Sequence, residues 1–275
     1  MEQYVLPILF FLGIGAVIGI LLTVASKVFY VKTDETVSRI SEALPGANCG
    51  GCGYSGCDGY AAAVASGEAP PDLCRPGGAE TAGKIGQILG IEVGNVEPVK
   101  AFIRCNGNCC ATKDKFTYIG TPSCTAIERF YNGKGECRSG CHGMGDCIRA
   151  CDKGCISIRD GVAVVDPTEC IGCGKCVKAC PNKLIVLIPE SRRYAVRCNS
   201  DAAGKETRAV CKNGCIACGM CRKKCPSEAI ILTDNHAEID MKKCTGCGTC
   251  AEVCPVKCIT DIRKMTAAEC EKKEA

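Results

Sequence analysis

Tryptophan is absent from this chain, histidine occurs twice in 275 residues, and aromatic residues make up only 5%. A chain so poor in large side chains cannot close one extensive hydrophobic core, so something other than side-chain packing must hold its parts together. Two histidines leave almost no imidazole for zinc or copper. A P-loop, a GxGxxG fingerprint and a Cys/His nucleophile site are also missing, so the chain is not expected to bind NAD or flavin itself. The charge balance is slight, at +4 with every cysteine counted neutral.

Cysteine fills the gap, with 29 residues. A disulfide scaffold is one way to use so many. The tight triplets CIGCGKC, CIACGMC and CTGCGTC suit a shared metal centre better than pairwise bridges. With imidazole scarce, the metal must be held by thiolate alone, as iron–sulfur clusters or as zinc on four cysteines. Each oxidised four-iron cluster with its thiolates carries roughly −2, so five of them would bring the loaded protein to about −6. The small formal positive charge is therefore no sign of nucleic-acid binding.

Residues 4–31 contain a single charge, Lys27, and Val5 to Val28 has about the length of a membrane-spanning helix. A cleaved signal peptide would want a basic start, whereas this chain begins Met1-Glu2-Gln3, and its apolar run exceeds a typical signal core. The segment is expected to be a retained transmembrane anchor. Lys27, Lys32 and Arg39 follow it with no basic residue before it, which predicts that the bulk of the chain faces the cytoplasm. Gly15 and Gly19 form a small-xxx-small pair suited to a partner helix.

Shifting the chain by 74 residues places Cys124, Cys137, Cys141, Cys147, Cys151, Cys170, Cys173, Cys176 and Cys180 onto Cys198, Cys211, Cys215, Cys221, Cys225, Cys244, Cys247, Cys250 and Cys254 without a gap. Asp160-Gly161 and Asp234-Asn235 fall at equivalent turns between short apolar runs, a hairpin signature. The chain thus carries a duplicated unit of two cysteine quartets.

The spacing C-x2-C-x2-C-x3-C, with Pro181, Pro226 and Pro255 after the fourth cysteine, resembles the bacterial two-cluster ferredoxin. That resemblance implies crossed ligation, three cysteines on one cluster and the fourth, opening a helix, on its neighbour. It assigns Cys215, Cys218, Cys221 and Cys254 to one cluster and Cys244, Cys247, Cys250 and Cys225 to the next. In the first unit it assigns Cys170, Cys173, Cys176 and Cys151. The remaining site departs from the pattern: Met144 stands where Cys218 has its counterpart, and Asp152 replaces proline. A thioether is a poor ligand here, so the expected set is Cys137, Cys141, Cys147 and Cys180.

Ahead of these units, GANCGGCGYSGC and Cys74 form C-x2-C-x4-C-x16-C from Cys49, Cys52, Cys57 and Cys74. Gly50, Gly51, Gly53 and Gly56 let backbone N–H groups approach sulfur. Helices are expected over 34–44, 58–66 and 77–89. This order of hydrophobic segment, odd quartet and ferredoxin-like pairs is similar to the B subunit of the Rnf electron-transport complex, over almost the whole chain. The resemblance implies an iron–sulfur protein that takes electrons from reduced soluble ferredoxin and relays them to other membrane and peripheral subunits. The complex as a whole would couple ferredoxin oxidation and NAD⁺ reduction to Na⁺ or H⁺ translocation. It would place the odd cluster at the membrane end of the relay.

Nine cysteines remain outside these five quartets. Cys155 and Cys258 occupy the place of Ala229 in CPSEAI and read as small buried hydrophobes. Cys270 sits in a charged tail and reads as inert. A sixth cluster drawn from Cys105, Cys109, Cys124, Cys198 and Cys211, or a set of buried free thiols, is left open, because no local spacing picks a quartet. Arg222-Lys223-Lys224 and Lys242-Lys243 offer a basic face for an acidic ferredoxin.

The fold expected is α+β: a transmembrane anchor at 1–31, a helical four-iron domain at 32–98, a linker module at 99–131, ferredoxin-like modules at 132–190 and 191–265, and a tail at 266–275. The expected cofactors are five [4Fe–4S] clusters, with the sixth open. The expected location is the inner (cytoplasmic) membrane, single-pass, with no nucleic-acid partner. An anchored polyferredoxin serving another oxidoreductase such as a hydrogenase, and a structural zinc protein or iron–sulfur sensor, are the competing readings.

Overall fold

The computed structural model describes residues 2–28, 35–94 and 96–264. Lys32, Cys270 and the tail at 266–275 lie outside them. Helix α1 spans Glu2–Val28. Among the described residues no helix is long and apolar enough to cross a membrane. The expected transmembrane anchor is corrected accordingly, and the orientation drawn from Lys27, Lys32 and Arg39 loses its premise with it.

The first domain is three helices: α2 (Glu35–Ala43), α3 (Cys57–Ala65) and α4 (Gly78–Leu89). Val37, Ile40 and Leu44 recur at helical spacing on one face of α2 and the residue after it. Ile40, Tyr60 and Ile85 are almost fully buried at the centre. The Tyr60 hydroxyl donates to the Pro70 carbonyl (2.8 Å) and accepts from the Leu73 N–H (3.1 Å), fixing the loop that delivers Cys74.

Strand β1 (Val99–Ile103) begins the next unit. It is followed by α5 (Cys124–Tyr131), α6 (Asp146–Arg149), the hairpin β2 (Ile156–Arg159) and β3 (Val162–Val165), α7 (Lys175–Ala179) and β4 (Ile185–Pro189). β1 pairs antiparallel with β4, so a strand from the expected linker completes the first ferredoxin-like module. The second module repeats the plan with β5 (Tyr194–Val196), α8 (Gly204–Val210), α9 (Met220–Lys224), the hairpin β6 (Ile230–Thr233) and β7 (His236–Ile239), α10 (Thr249–Glu252) and β8 (Ile259–Asp261), with β5 paired to β8. Both hairpins turn on residues with left-handed backbone, Asp160 (φ 49°) with Gly161 (φ 82°) and Asp234 (φ 47°) with Asn235 (φ 59°), the geometry that tight two-residue turns demand.

Helices α7 and α9 contain the third cysteine of each triplet and end at the fourth, Cys180 and Cys225. The fourth cysteine thus closes a short helix, where the sequence suggested that it opens one.

Alternation along the β1–β4 ribbon joins the modules. Ala101, Ile103 and Ile185 face the first module's core, while Phe102 and Ile188 turn the other way onto Ala195 of the second. Arg104 Nη2 adds a 2.9 Å ion pair to Glu238 across the same joint.

Candidate iron–sulfur sites

Six groups of cysteines are gathered by this scaffold. Cys49, Cys52, Cys57 and Cys74 line one small cavity, walled by Leu44 and Tyr60. The Asn48 side chain accepts from the Cys57 N–H (2.8 Å), which bends the loop around the cavity. Burial raises the Cys74 thiol, and the sulfurs of Cys57, Cys49 and Cys52 raise it further.

Three ferredoxin-type quartets converge in the same sense. Burial pushes Cys176 up to about 12, with Cys170, Cys173 and Cys151 adding to it. Burial raises Cys221, with Cys215, Cys254 and Cys218 as charged neighbours. Cys250 is pushed up to about 12 by burial and then by Cys244 and Cys247, and Cys247 acts on Cys225. Four clustered sulfurs, one or two of them buried in each quartet, that would repel one another as thiolates are a donor set that fits a cation-rich cluster core. Backbone N–H groups already point at several of them, from Ala101 to Cys170, Leu184 to Cys180 and Ala229 to Cys225, each at 3.4 Å. A glycine follows the second cysteine at φ 79°, 73° and 88° (Gly174, Gly219, Gly248) and starts each short helix. Only a residue tolerant of left-handed backbone turns the chain so tightly around a cluster.

The irregular site is assembled differently from the sequence expectation. Cys141, Cys147 and Cys180 line one cavity together with Cys124, not Cys137. The Cys147 thiol is pushed up to about 12 by burial, then by Cys141, Cys124 and Cys180. Cys124 reaches this cavity as the first residue of α5, whose N-terminus is capped by Ser123 and by Asp146, which accepts from the Cys124 N–H (2.8 Å) and the Thr125 N–H (3.0 Å). Gly145 keeps the left-handed turn (φ 79°) that follows Met144. The signal for Cys124 was available in the 74-residue repeat, but a ligand 17 residues ahead of its triplet cannot be recognised by spacing.

Cys137 lies instead among Cys105, Cys198 and Cys211 around a cavity of about 300 Å³. Cys109 stands at its rim and is exposed. Among the described residues no three His, Cys, Asp or Glu side chains could hold a single metal ion. A multi-iron cluster sets its ligands wider apart than the ~2.3 Å Zn–S bonds of a mononuclear site would.

Two cysteines that sequence reading treated as filler touch the quartets. Cys155 Sγ lies 3.4 Å from Cys151 Sγ, and Cys258 Sγ 3.7 Å from Cys254 Sγ. The hydrogen bond from Cys258 is the main cause holding Cys215 down to about 6 and Cys254 to about 5.

Comparison with known proteins agrees with this organisation. The Fe-S cluster family matches residues 44–76, the 4Fe-4S binding domain 163–186 and the 4Fe-4S dicluster domain 208–260. The chain is 41% identical to the B subunit of the Na(+)-translocating ferredoxin:NAD(+) oxidoreductase complex of Acetobacterium woodii, over 90% of this chain and 74% of that protein. It is 40% identical to the B subunit of the ion-translocating oxidoreductase complex of Methanosarcina acetivorans, over 84% and 88%. It is 35% identical to the B subunit of the proton-translocating ferredoxin:NAD(+) oxidoreductase complex of Clostridium ljungdahlii, over 73% and 72%. The chain belongs to the family of B subunits of the ion-translocating oxidoreductase complex.

Proposed function

We propose that the chain is an electron relay at a membrane, taking electrons from reduced soluble ferredoxin and passing them through [4Fe–4S] clusters to redox subunits of its complex. The observation that carries this reading is that successive quartets lie close enough for the charge of one to bear on a sulfur of the next. Cys49 acts on Cys173, Cys147 on Cys176, and Cys221 on Cys250. Quartets that sense one another's charge suit one-electron steps. The clusters, when bound, supply the one-electron chemistry. The residues hold them, shield them from water and set the charge around each: Cys49/52/57/74, Cys151/170/173/176, Cys124/141/147/180, Cys215/218/221/254 and Cys225/244/247/250.

The basic run Arg222, Lys223 and Lys224 is exposed, as are Cys218 and Cys247 of the same module. This end suits the arrival of an acidic donor, and the Cys49 end the departure toward other subunits. In the complex the transfer is coupled to NAD⁺ reduction and Na⁺ or H⁺ movement. Anaerobic mixing of the loaded chain with reduced ferredoxin tests the reading. Rapid bleaching of the clusters supports it, and clusters that ferredoxin leaves oxidised overturn it.

A further inference from the structure

We infer that Cys105, Cys137, Cys198 and Cys211 bind a sixth [4Fe–4S] cluster, which bridges the two ferredoxin-like modules. The inference rests on the relay reading only for its role; the site itself stands on geometry. The four cysteines come from four separate places: the segment after β1, the loop before Cys141, the segment after β5 and the end of α8. No sequence spacing links them, yet all four line the cavity of about 300 Å³.

Three observations mark it as a cluster site instead of a cavity with idle thiols. Each sulfur already accepts backbone N–H bonds: Cys105 from Gly107 (3.4 Å), Cys137 from Ser139, Cys198 from Cys215 and Ser200, and Cys211 from Asn213 and Gly214. The regular quartets use the same device, and it has value chiefly to a sulfur that carries negative charge. The Arg197 guanidinium is half-buried at the cavity wall; among the described residues its buried Nε has no partner and its Nη2 donates to the Cys105 carbonyl (3.1 Å). A buried cation without a carboxylate is costly, and a cluster with four thiolates, at about −2, is the counter-charge it lacks. Lastly, the charges of Cys105, Cys211 and Cys198 bear on Cys137, those of Cys211 and Cys198 on Cys105, and that of Cys198 on Cys211.

The position gives the site its role. Cys105 acts on Cys141 of the first module, and Cys198 meets Cys215 of the second. Charge coupling thus runs from the Cys49 quartet through those of Cys170, Cys124, Cys105 and Cys215 to that of Cys244.

Iron and acid-labile sulfide counts on the full chain, purified without oxygen, test the ligand set. The expected wild-type count is about 24 irons. Cys198→Ala and Cys137→Ala should each leave about 20, and the double variant of the two also about 20, because both residues serve one cluster. Cys137→Ala with Cys147→Ala should leave about 16, because they serve two. A wild-type count near 20 that Cys198→Ala leaves unchanged overturns the sixth site. A count near 20 for the Cys137/Cys147 pair returns Cys137 to the ferredoxin-type site and overturns the ligand set. The additive pattern separates site loss from misfolding, and Cys198→Ser, which puts an oxygen donor in place of the sulfur, should retain more iron than Cys198→Ala. These counts do not depend on ferredoxin, so failure of the relay reading would show separately, as intact clusters that ferredoxin cannot reduce.

Discussion

Cys258 sits four residues beyond Cys254 with its sulfur 3.7 Å from that ligand's, and Cys155 holds the same relation to Cys151 at 3.4 Å. With the ligands held as thiolates, each spare thiol is the donor. A donor on a ligand sulfur favours the reduced, more negative cluster. Cys258→Ala should therefore lower the potential of the Cys215 cluster by tens of mV, on the order of one hydrogen bond, while Cys258→Ser should keep most of it. Redox titration followed by electron paramagnetic resonance reads the shift, and an unchanged potential in Cys258→Ala would remove the donor role.

Asp146 ties the irregular site together through backbone and hydroxyl bonds from Cys124, Thr125 and Ser123. Burial opposes its charge, but these bonds outweigh burial and hold its carboxyl below the usual range. A depressed folded value stabilises the fold fully above the unfolded value of about 4 and loses that contribution as pH falls through the folded one. Asp146→Ala should cost about 1 kcal/mol at pH 7, the usual value of a helix cap, and the difference from wild type should shrink below about pH 4. Thermal unfolding across pH checks this; a pH-independent difference would contradict it.

Gly51 packs against the first module so closely that a Cβ would stand 2.6 Å from the Cys173 carbonyl. That atom is backbone and cannot turn aside. Gly51→Ala should push the first domain away, costing about 1–3 kcal/mol. It should also slow transfer between the Cys49 and Cys170 clusters while both keep their iron. Equal transfer rates in wild type and variant would show that this contact is not on the route.

Charge reversal at Arg222, Lys223 and Lys224 should slow reduction by ferredoxin ten-fold or more at low salt, with the gap closing as salt rises, because steering acts on encounter. A rate unaffected at all salt concentrations would place the docking face elsewhere.

Much of this was legible in cysteine spacing. The helices around Cys49 follow from apolar spacing such as Val37, Ile40 and Leu44, both hairpin turns from residues that favour left-handed backbone, and the C-x2-C runs from the sequence itself, all of them local signals. Cys124 and the Cys105 cavity are not local: their members meet only because β1 pairs with β4 and β5 with β8. Met144 was readable as a missing ligand, but Cys137, ahead of the same triplet, drew the assignment by proximity in sequence. Cys155 and Cys258 were read by analogy with Ala229, and only the folded positions of their sulfurs reveal the donors. Hydropathy alone drew the transmembrane reading of α1, which the described residues do not uphold.

The most direct test of the account is a count of iron, acid-labile sulfide and zinc on the anaerobically purified full chain, followed by titration with reduced ferredoxin. The account predicts about 24 irons with matching sulfide, all reducible by ferredoxin. Zinc in place of iron, or clusters that ferredoxin cannot reduce, would contradict it.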